Sequence, residues 1–510
     1  MSGIGKRFQA AGYKDPKPLI EVDNKPMIHH VIDLFPGETK FHFICNDEHL
    51  ATTRMREILL EKVPTAQIHE VSIHNRKGPV DAVLQIADSL PDDEEIIISY
   101  CDYGTVWNYQ GFLEEMRRKS ADGGIAAYIG FHPHMLGSDN YAFMKHYDKW
   151  VTAIQEKKPY TDNKMAEYAS NGTYYFRTGA LMKKYCKMLV DADMNLNGEY
   201  YVSLVYDLMC QARLNVRIYE IEKMLQWGTP KDLEEYKQWA EVFRRQREEP
   251  MKHDTLLQAT TILPMAGAGS RFHMVGYKDP KPLLPVNGSP MFIEAVNCLP
   301  PTTDIVYVCQ QVHLDAYPIQ DHLKGGAKVI GIPKVTEGQA CTCEIAIREA
   351  NIPLDKPILI SACDNGALYD TSKHAALVSD PSIDVIVWAF TNSATGKLYP
   401  HMYAWLDVDA EGRIHDVSIK KPFAEKPNTH AIIGTMFFRT GALFMEGLED
   451  CYKTNNRTNG EFYVDNVLQP LIAKGYNVHV FEVDHYLCWG TPNDYKTYQY
   501  WDSHFRNIHT

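Results

Sequence analysis

Eight residues, Gly-Tyr-Lys-Asp-Pro-Lys-Pro-Leu, stand at Gly12–Leu19 and again at Gly276–Leu283. A chain that repeats itself in this way must build the same local structure twice. The same offset carries Met1-Ser2-Gly3-Ile4-Gly5-Lys6-Arg7-Phe8 onto Met265-Ala266-Gly267-Ala268-Gly269-Ser270-Arg271-Phe272. Farther on, Cys45 and His49 return as Cys309 and His313, and Cys101-Asp102 returns as Cys363-Asp364. Phe176–Leu181 returns as Phe438–Leu443, Asn197–Val202 as Asn459–Val464, and Trp227–Pro230 as Trp489–Pro492. A period of about 260 residues is a duplicated domain, because solenoid repeats run to only about 20–50 residues.

A chain of 510 residues exceeds one ordinary core, and two domains of about 240 residues each fit the upper range of single-domain sizes. The stretch from Ala240 to Ala259 is rich in charge and then interrupted by Pro250. It reads as an ending helix and a linker, giving domains over 1–245 and 259–510 with a linker over 246–258. The chain carries 52 basic and 65 acidic residues, a net charge of −13, which disfavours non-specific attraction to nucleic acid or anionic membrane. An anionic ligand must therefore meet positive charge concentrated locally. The sequence offers no apolar run of membrane-spanning length and opens directly on a glycine loop, so a cytoplasmic protein is expected. The 11 cysteines lack paired metal spacing and read as reduced, mostly buried thiols.

The order of elements is that of an α/β protein. Glu95–Ser99 and Pro357–Ser361 are short apolar runs that lead to Asp102 and Asp364, as expected of strands buried on both faces, with each Asp at a strand's C-terminal end. In Gly3-Ile4-Gly5 and Gly267-Ala268-Gly269 a Gly-x-Gly turn lets backbone N–H groups approach an anion closely. Alone the signal is weak, since the third glycine of a dinucleotide fingerprint is missing. Arg7 and Lys17, repeated as Arg271 and Lys281, add a fixed fork and a point charge that suit a polyphosphate. Lys14 and Lys278 fit a solvated loop equally well. His49 and His313 read as structural, Trp227 and Trp489 as wall or core residues.

Taken together, Met265–Phe272 with Lys281-Pro282, Glu337-Gly338-Gln339-Ala340, Asp364, Lys421-Pro422 before Gly434, and Asp465 resemble the sugar-nucleotide pyrophosphorylases. These nucleotidyltransferases join a nucleoside triphosphate to a phosphorylated sugar, and the resemblance spans nearly the whole chain twice. It implies two tandem Rossmann-like domains of the nucleotide-diphospho-sugar transferase fold, each a mostly parallel sheet flanked by helices. It implies that Gly267, Gly269, Arg271 and Lys281 hold the triphosphate, that Gly338 and Gln339 face the base, and that Asp364 and Asp465 hold Mg²⁺. Lys421 would neutralise the acceptor's phosphate, with Gly434 and Glu461 on the acceptor side. The counterparts in the first copy are Gly3, Gly5, Arg7, Lys17, Gly78, Asp102, Lys158, Gly172 and Glu199. Glu199 and Glu461 are equally good turn residues after Asn-Gly. The expected partners are a nucleoside triphosphate and a phosphorylated small molecule, with homo-oligomerisation left open. Capsule or glycoconjugate precursors are the expected products.

The copies differ where chemistry is expected. Asp465 is matched by Ser203, and Gly338-Gln339-Ala340 by Gly78-Pro79-Val80. Asp207, one helical turn beyond Ser203, shares its face if the segment is helical. The first copy also lacks a match for the strand Thr261–Pro264. Omitting a central strand leaves buried backbone groups unpaired at about 1–3 kcal/mol each, so the sequence reading expects a start several residues upstream. Two alternatives remain: a glycosyltransferase using a nucleotide sugar, or one catalytic domain joined to a non-catalytic nucleotide-binding domain.

Overall fold

A computed structural model describes residues 1–72, 74, 77–323, 325–391, 400–423 and 430–507. The chain divides into two compact units, Met1–Gln238 and Trp239–Thr510. The helix Pro230–Glu248 runs through the division, ahead of the strand Leu257–Pro264.

The second unit holds a nine-stranded sheet. Leu257–Pro264 lies inside it, parallel to Thr302–Gln310 on one side and to Ile358–Ile360 on the other. Lys328–Ile332 continues the parallel edge. Beyond Ile358–Ile360, His430–Phe438 runs antiparallel, then Val385–Phe390 and Val478–Glu482 pair in parallel with each other. Central strands read Ile-Leu-Ile and Val-Ile-Val-Trp-Ala-Phe with every residue buried, because helices cover both faces. One core gathers Ile262, Val306, Ile358, Val385 and Met436 with helix residues Cys343, Phe444 and Leu468.

The first unit repeats this plan with one difference. Its six-stranded sheet runs Ile96–Ser99, Tyr168–Phe176, Gly123–Tyr128, Val216–Glu220, Trp150–Glu156, Ala142–Tyr147. His42–Asn46 and Gln67–Val71 form a separate parallel pair. In the second unit the counterparts of His42–Asn46 and Ile96–Ser99 are joined through Leu257–Pro264. In the first unit no strand among the described residues lies between them, and the sheet is split where the sequence lacks its match. Side chains hold the pieces together: Phe43 and Cys45 pack in one cluster with Phe112, Met116 and Tyr175.

Candidate active site

In the second unit the site gathers at the C-terminal ends of the inner strands, where an α/β sheet leaves a crevice. Leu257–Pro264 feeds the glycine turn, and Gly269 takes a left-handed φ of 60° to cap the short helix Ser270–Met274. A Cβ on Gly267 would meet nothing within 4 Å, so this side of the turn is open to a ligand. Lys281 starts the 3-10 turn Lys281–Leu283, and its Nζ lies 2.5 Å from Asp364 Oδ2. Burial alone would raise the carboxyl's pKa and lower the ammonium's. Their attraction outweighs it, holding Asp364 below and Lys281 above their ordinary values. Arg271, exposed, adds a second positive field on Asp364.

A second carboxylate arrives from the helix Val464–Ala473, whose second residue is Asp465. Desolvation pushes Asp465 up to about 6, with the Lys420 ammonium opposing. Lys420 itself is lowered by burial, against the pull of Asp465. Lys420 thus turns inward from the end of the strand Ile414–Ile419, whereas Lys421 is exposed. Sequence reasoning chose Lys421 and passed over Lys420. The doubled lysine was the available signal.

Gly338 has a structural duty of its own. At φ 142°, a Cβ there would stand 2.4 Å from the carbonyl oxygen and 2.5 Å from the nitrogen of Phe462. Ala340 N–H donates to Phe462 O and Phe462 N–H to Glu337 O, so the glycine lets two backbone segments pair. Gly78 does the same against Tyr200, at 2.6 Å from its nitrogen. Gln339 begins the helix Gln339–Glu349 and is partly exposed. Glu461 is exposed, closing a turn with Thr458 through backbone hydrogen bonds.

A third carboxylate escaped the sequence reading. Asp494 is buried, bonded by Thr491 Oγ1 at 2.6 Å, and lies in the field of Arg271. Its counterpart Asp232 pairs with Thr229 in the same way and lies near Lys17 and Arg7. The repeat Trp-Gly-Thr-Pro-x-Asp carried this signal. In both units the Thr caps the helix that follows, its hydroxyl accepting from the backbone N–H of the Asp. Trp227 and Trp489, nearly wholly buried, form walls against Gly104 and Gly366.

The first unit brings together Gly5, Arg7, Lys17 and Asp102 likewise. Gly5 caps the helix Lys6–Ala10 with φ 71°. Lys17 pairs with Asp102 and donates to Gly228 O at 2.7 Å. The far side differs. Ser203 donates to Glu156 Oε2 at 2.6 Å, and burial raises the Glu156 carboxyl. Asp207 instead accepts from Gln211. Lys157 donates to the Tyr201 hydroxyl at 2.6 Å, Tyr201 donates to Glu199, and Lys158 is exposed. Gly3 lies in the glycine turn and Gly172 in the strand Tyr168–Phe176.

Two cations beside a glycine turn, with strand-end and helix-borne carboxylates in their field, are the chemistry that suits a phosphorylated ligand. Residues 1–199 match the model of the nucleotidyl transferase family. The chain is an enzyme of the nucleotidyltransferase class. Among solved structures it is similar to a nucleoside-diphosphate-sugar pyrophosphorylase from Vibrio cholerae RC9, with 19% identity, 47% of this chain and 98% of that one covered, and a TM-score of 0.39. It is also similar to an inositol-1-phosphate CTP transferase from T. maritima, with 17% identity, 48% and 95% covered, and a TM-score of 0.37. A third is a UDP-glucose pyrophosphorylase complexed with UDP-glucose, with 18% identity, 49% and 100% covered, and a TM-score of 0.38. Among the described residues no helix is long and apolar enough to cross a membrane, and no group of three or more His, Cys, Asp or Glu gathers at metal-ligand spacing.

Proposed function

We propose that the protein transfers a nucleotidyl group from a nucleoside triphosphate to a phosphorylated small acceptor, a sugar 1-phosphate or phosphorylated alcohol, with the second unit as the principal site. The carrying observation is the cation cluster of Arg271, Lys281 and Lys420 set against Asp364 and Asp465.

Gly267 and Gly269 offer backbone N–H groups to the triphosphate, with Arg271 and Lys281 neutralising it. A phosphate oxygen of the acceptor attacks the α-phosphorus. The new P–O bond forms as the bond to pyrophosphate breaks, and the negative charge leaves with pyrophosphate. The attacking oxygen is already ionised near pH 7, because the second pKa of a phosphate monoester is about 6, so no general base is needed. Lys420 and Lys421 meet the acceptor's phosphate. Catalysis is then in-line positioning with charge neutralisation.

Mg²⁺ suits this donor set. Asp465 carries a desolvated carboxyl of raised pKa, a charge that a hard cation stabilises, and two carboxylates plus phosphate oxygens leave room for its waters. Asp364 and Asp465 would hold the ion, which neutralises phosphate charge when bound. In the first unit Ser203 replaces one of these ligands, which supports a division of labour between the units. Activated precursors of capsule or glycoconjugate synthesis are the proposed class of product.

The test is pyrophosphate release with Mg²⁺, each common nucleoside triphosphate and a panel of sugar 1-phosphates and phosphorylated alcohols. Release should require both substrates and fall at least about a hundredfold in Asp364→Ala. Silence across the whole panel would sink the reading.

A further inference from the structure

The two units share one backbone arrangement around a glycine and place different side chains beside it. In the first unit the amide of Tyr100 donates to the carbonyl of Gly172 at 3.0 Å. In the second the amide of Ala362 donates to that of Gly434 at 3.1 Å. Both glycines are left-handed, with φ of 98° and 86°. A Cβ on Gly434 would lie 3.3 Å from the Ala362 methyl. One on Gly172 would lie 3.0 Å from Cδ2 and 3.3 Å from Cβ and Cγ of Tyr100. A phenol ring therefore covers Gly172 where the second unit has a methyl group.

The far end of that ring is anchored. Its centroid lies 6.1 Å from that of Tyr174, and its hydroxyl lies beside the backbone of Val202, the first residue of the helix Val202–Gln211. Asp102 and Glu156 both lie in its electrostatic surroundings. Tyr100 thus reaches from the strand-end segment bearing Asp102 to the helix bearing Ser203. In the second unit the corresponding positions are Asp364 and Asp465, and Ala362 stands in the place of Tyr100. Tyr100 keeps part of its surface exposed while it packs against two hydrophobic clusters of the first unit. Glu156 marks a further difference: it ends the strand Trp150–Glu156 where the second unit ends Ile414–Ile419 with an apolar residue.

Resting on the nucleotidyl-transfer reading, we propose that the residue two positions before the strand-end Asp sets the size of acceptor each unit takes. Tyr100 occupies the compartment a six-membered sugar ring would fill and closes the first unit to hexose phosphates. Ala362 leaves that compartment open in the second. A phenol and a pyranose are of similar breadth, so the two compete for one volume.

The experiment counts glucose 1-phosphate sites on the full chain by equilibrium dialysis with Mg²⁺ and nucleoside triphosphate analogues that cannot transfer. It also compares turnover of glucose 1-phosphate with that of glycerol 3-phosphate. Tyr100→Ala should add one glucose 1-phosphate site per chain. Tyr100→Phe, which keeps the ring and loses the hydroxyl, should add none. Ala362→Tyr should remove one site and lower the glucose to glycerol ratio of kcat/KM at least tenfold, with triphosphate affinity kept. Tyr100→Leu stands in if the alanine variant fails to fold, and Ala362→Tyr tests the idea independently of the first unit. Unchanged site numbers in Tyr100→Ala, or an unchanged ratio in Ala362→Tyr, overturn the size gate. If wild-type protein releases pyrophosphate while those counts stay fixed, the gate alone falls. If it releases none with any pair, the transfer reading falls first.

Discussion

Glycines with the same sequence signature do different work at the scale of single residues. Gly267→Ala adds a methyl that meets no heavy atom within 4 Å, so its stability should stay within about 0.5 kcal/mol of wild type. Its triphosphate affinity should fall, because the methyl stands where the ligand's oxygens approach. Gly338→Ala puts the methyl 2.4 Å from Phe462 O at a φ of 142°, and should cost about 2–3 kcal/mol. Thermal melting and nucleotide titration on the two variants separate the roles. The turn itself was legible from Gly-x-Gly with its following Arg. The packing duty of Gly338 was not, because a backbone approach between segments more than 100 residues apart leaves no local pattern.

Lys420 and Asp465 show what the elements add. A strand end and a helix start bring them together, and neither segment announces its partner in sequence. Asp465 has a folded pKa of about 6, above its ordinary 3.8. The sign follows: its stability contribution is complete below about pH 4 and lost as pH rises through about 6. In metal-free protein Asp465→Asn should therefore be more stable than wild type at pH 8, by up to about 3 kcal/mol, and the gap should close below pH 4. Removing Lys420, which lowers this carboxyl, should raise its pKa further. Lys420→Met should then shift the acid limb of the activity profile to higher pH, which a pH series of kcat/KM reads directly. The duplicated motifs pointed in advance to Arg271 and Lys281 beside the glycine turn. Asp494 and Asp232 were hidden by their place in the first turn of helices capped by Thr491 and Thr229, and Tyr100 by its place in an apolar strand end.

Across the whole molecule, buried neutral histidines set an acid limit. In the second unit His374 packs among Tyr369, Trp388 and Phe481, and burial lowers it to about 4. Its Nε2 has no hydrogen-bond partner among the described residues. A base depressed in this way contributes stability above its unfolded pKa, near 6.5, which is lost as pH falls toward 4. His374→Phe should flatten the stability profile of the second unit between those values, the difference reaching about 3 kcal/mol at the acid end; denaturant melts from pH 7 to 4 measure it. The division of the first unit's sheet has a separate consequence for how the protein opens. His42–Asn46 and Gln67–Val71 share a hydrogen-bonded ladder with each other, while Thr302–Gln310 is laced into its sheet on both sides. The pair is tied to the six-stranded sheet by side-chain packing alone, and is therefore expected to open at a lower free energy than a strand laced in on both sides. Its amide hydrogens should exchange with deuterium in a separate and earlier event than those of Val306–Cys309, so that two units bearing the same motifs breathe at different rates within a single chain.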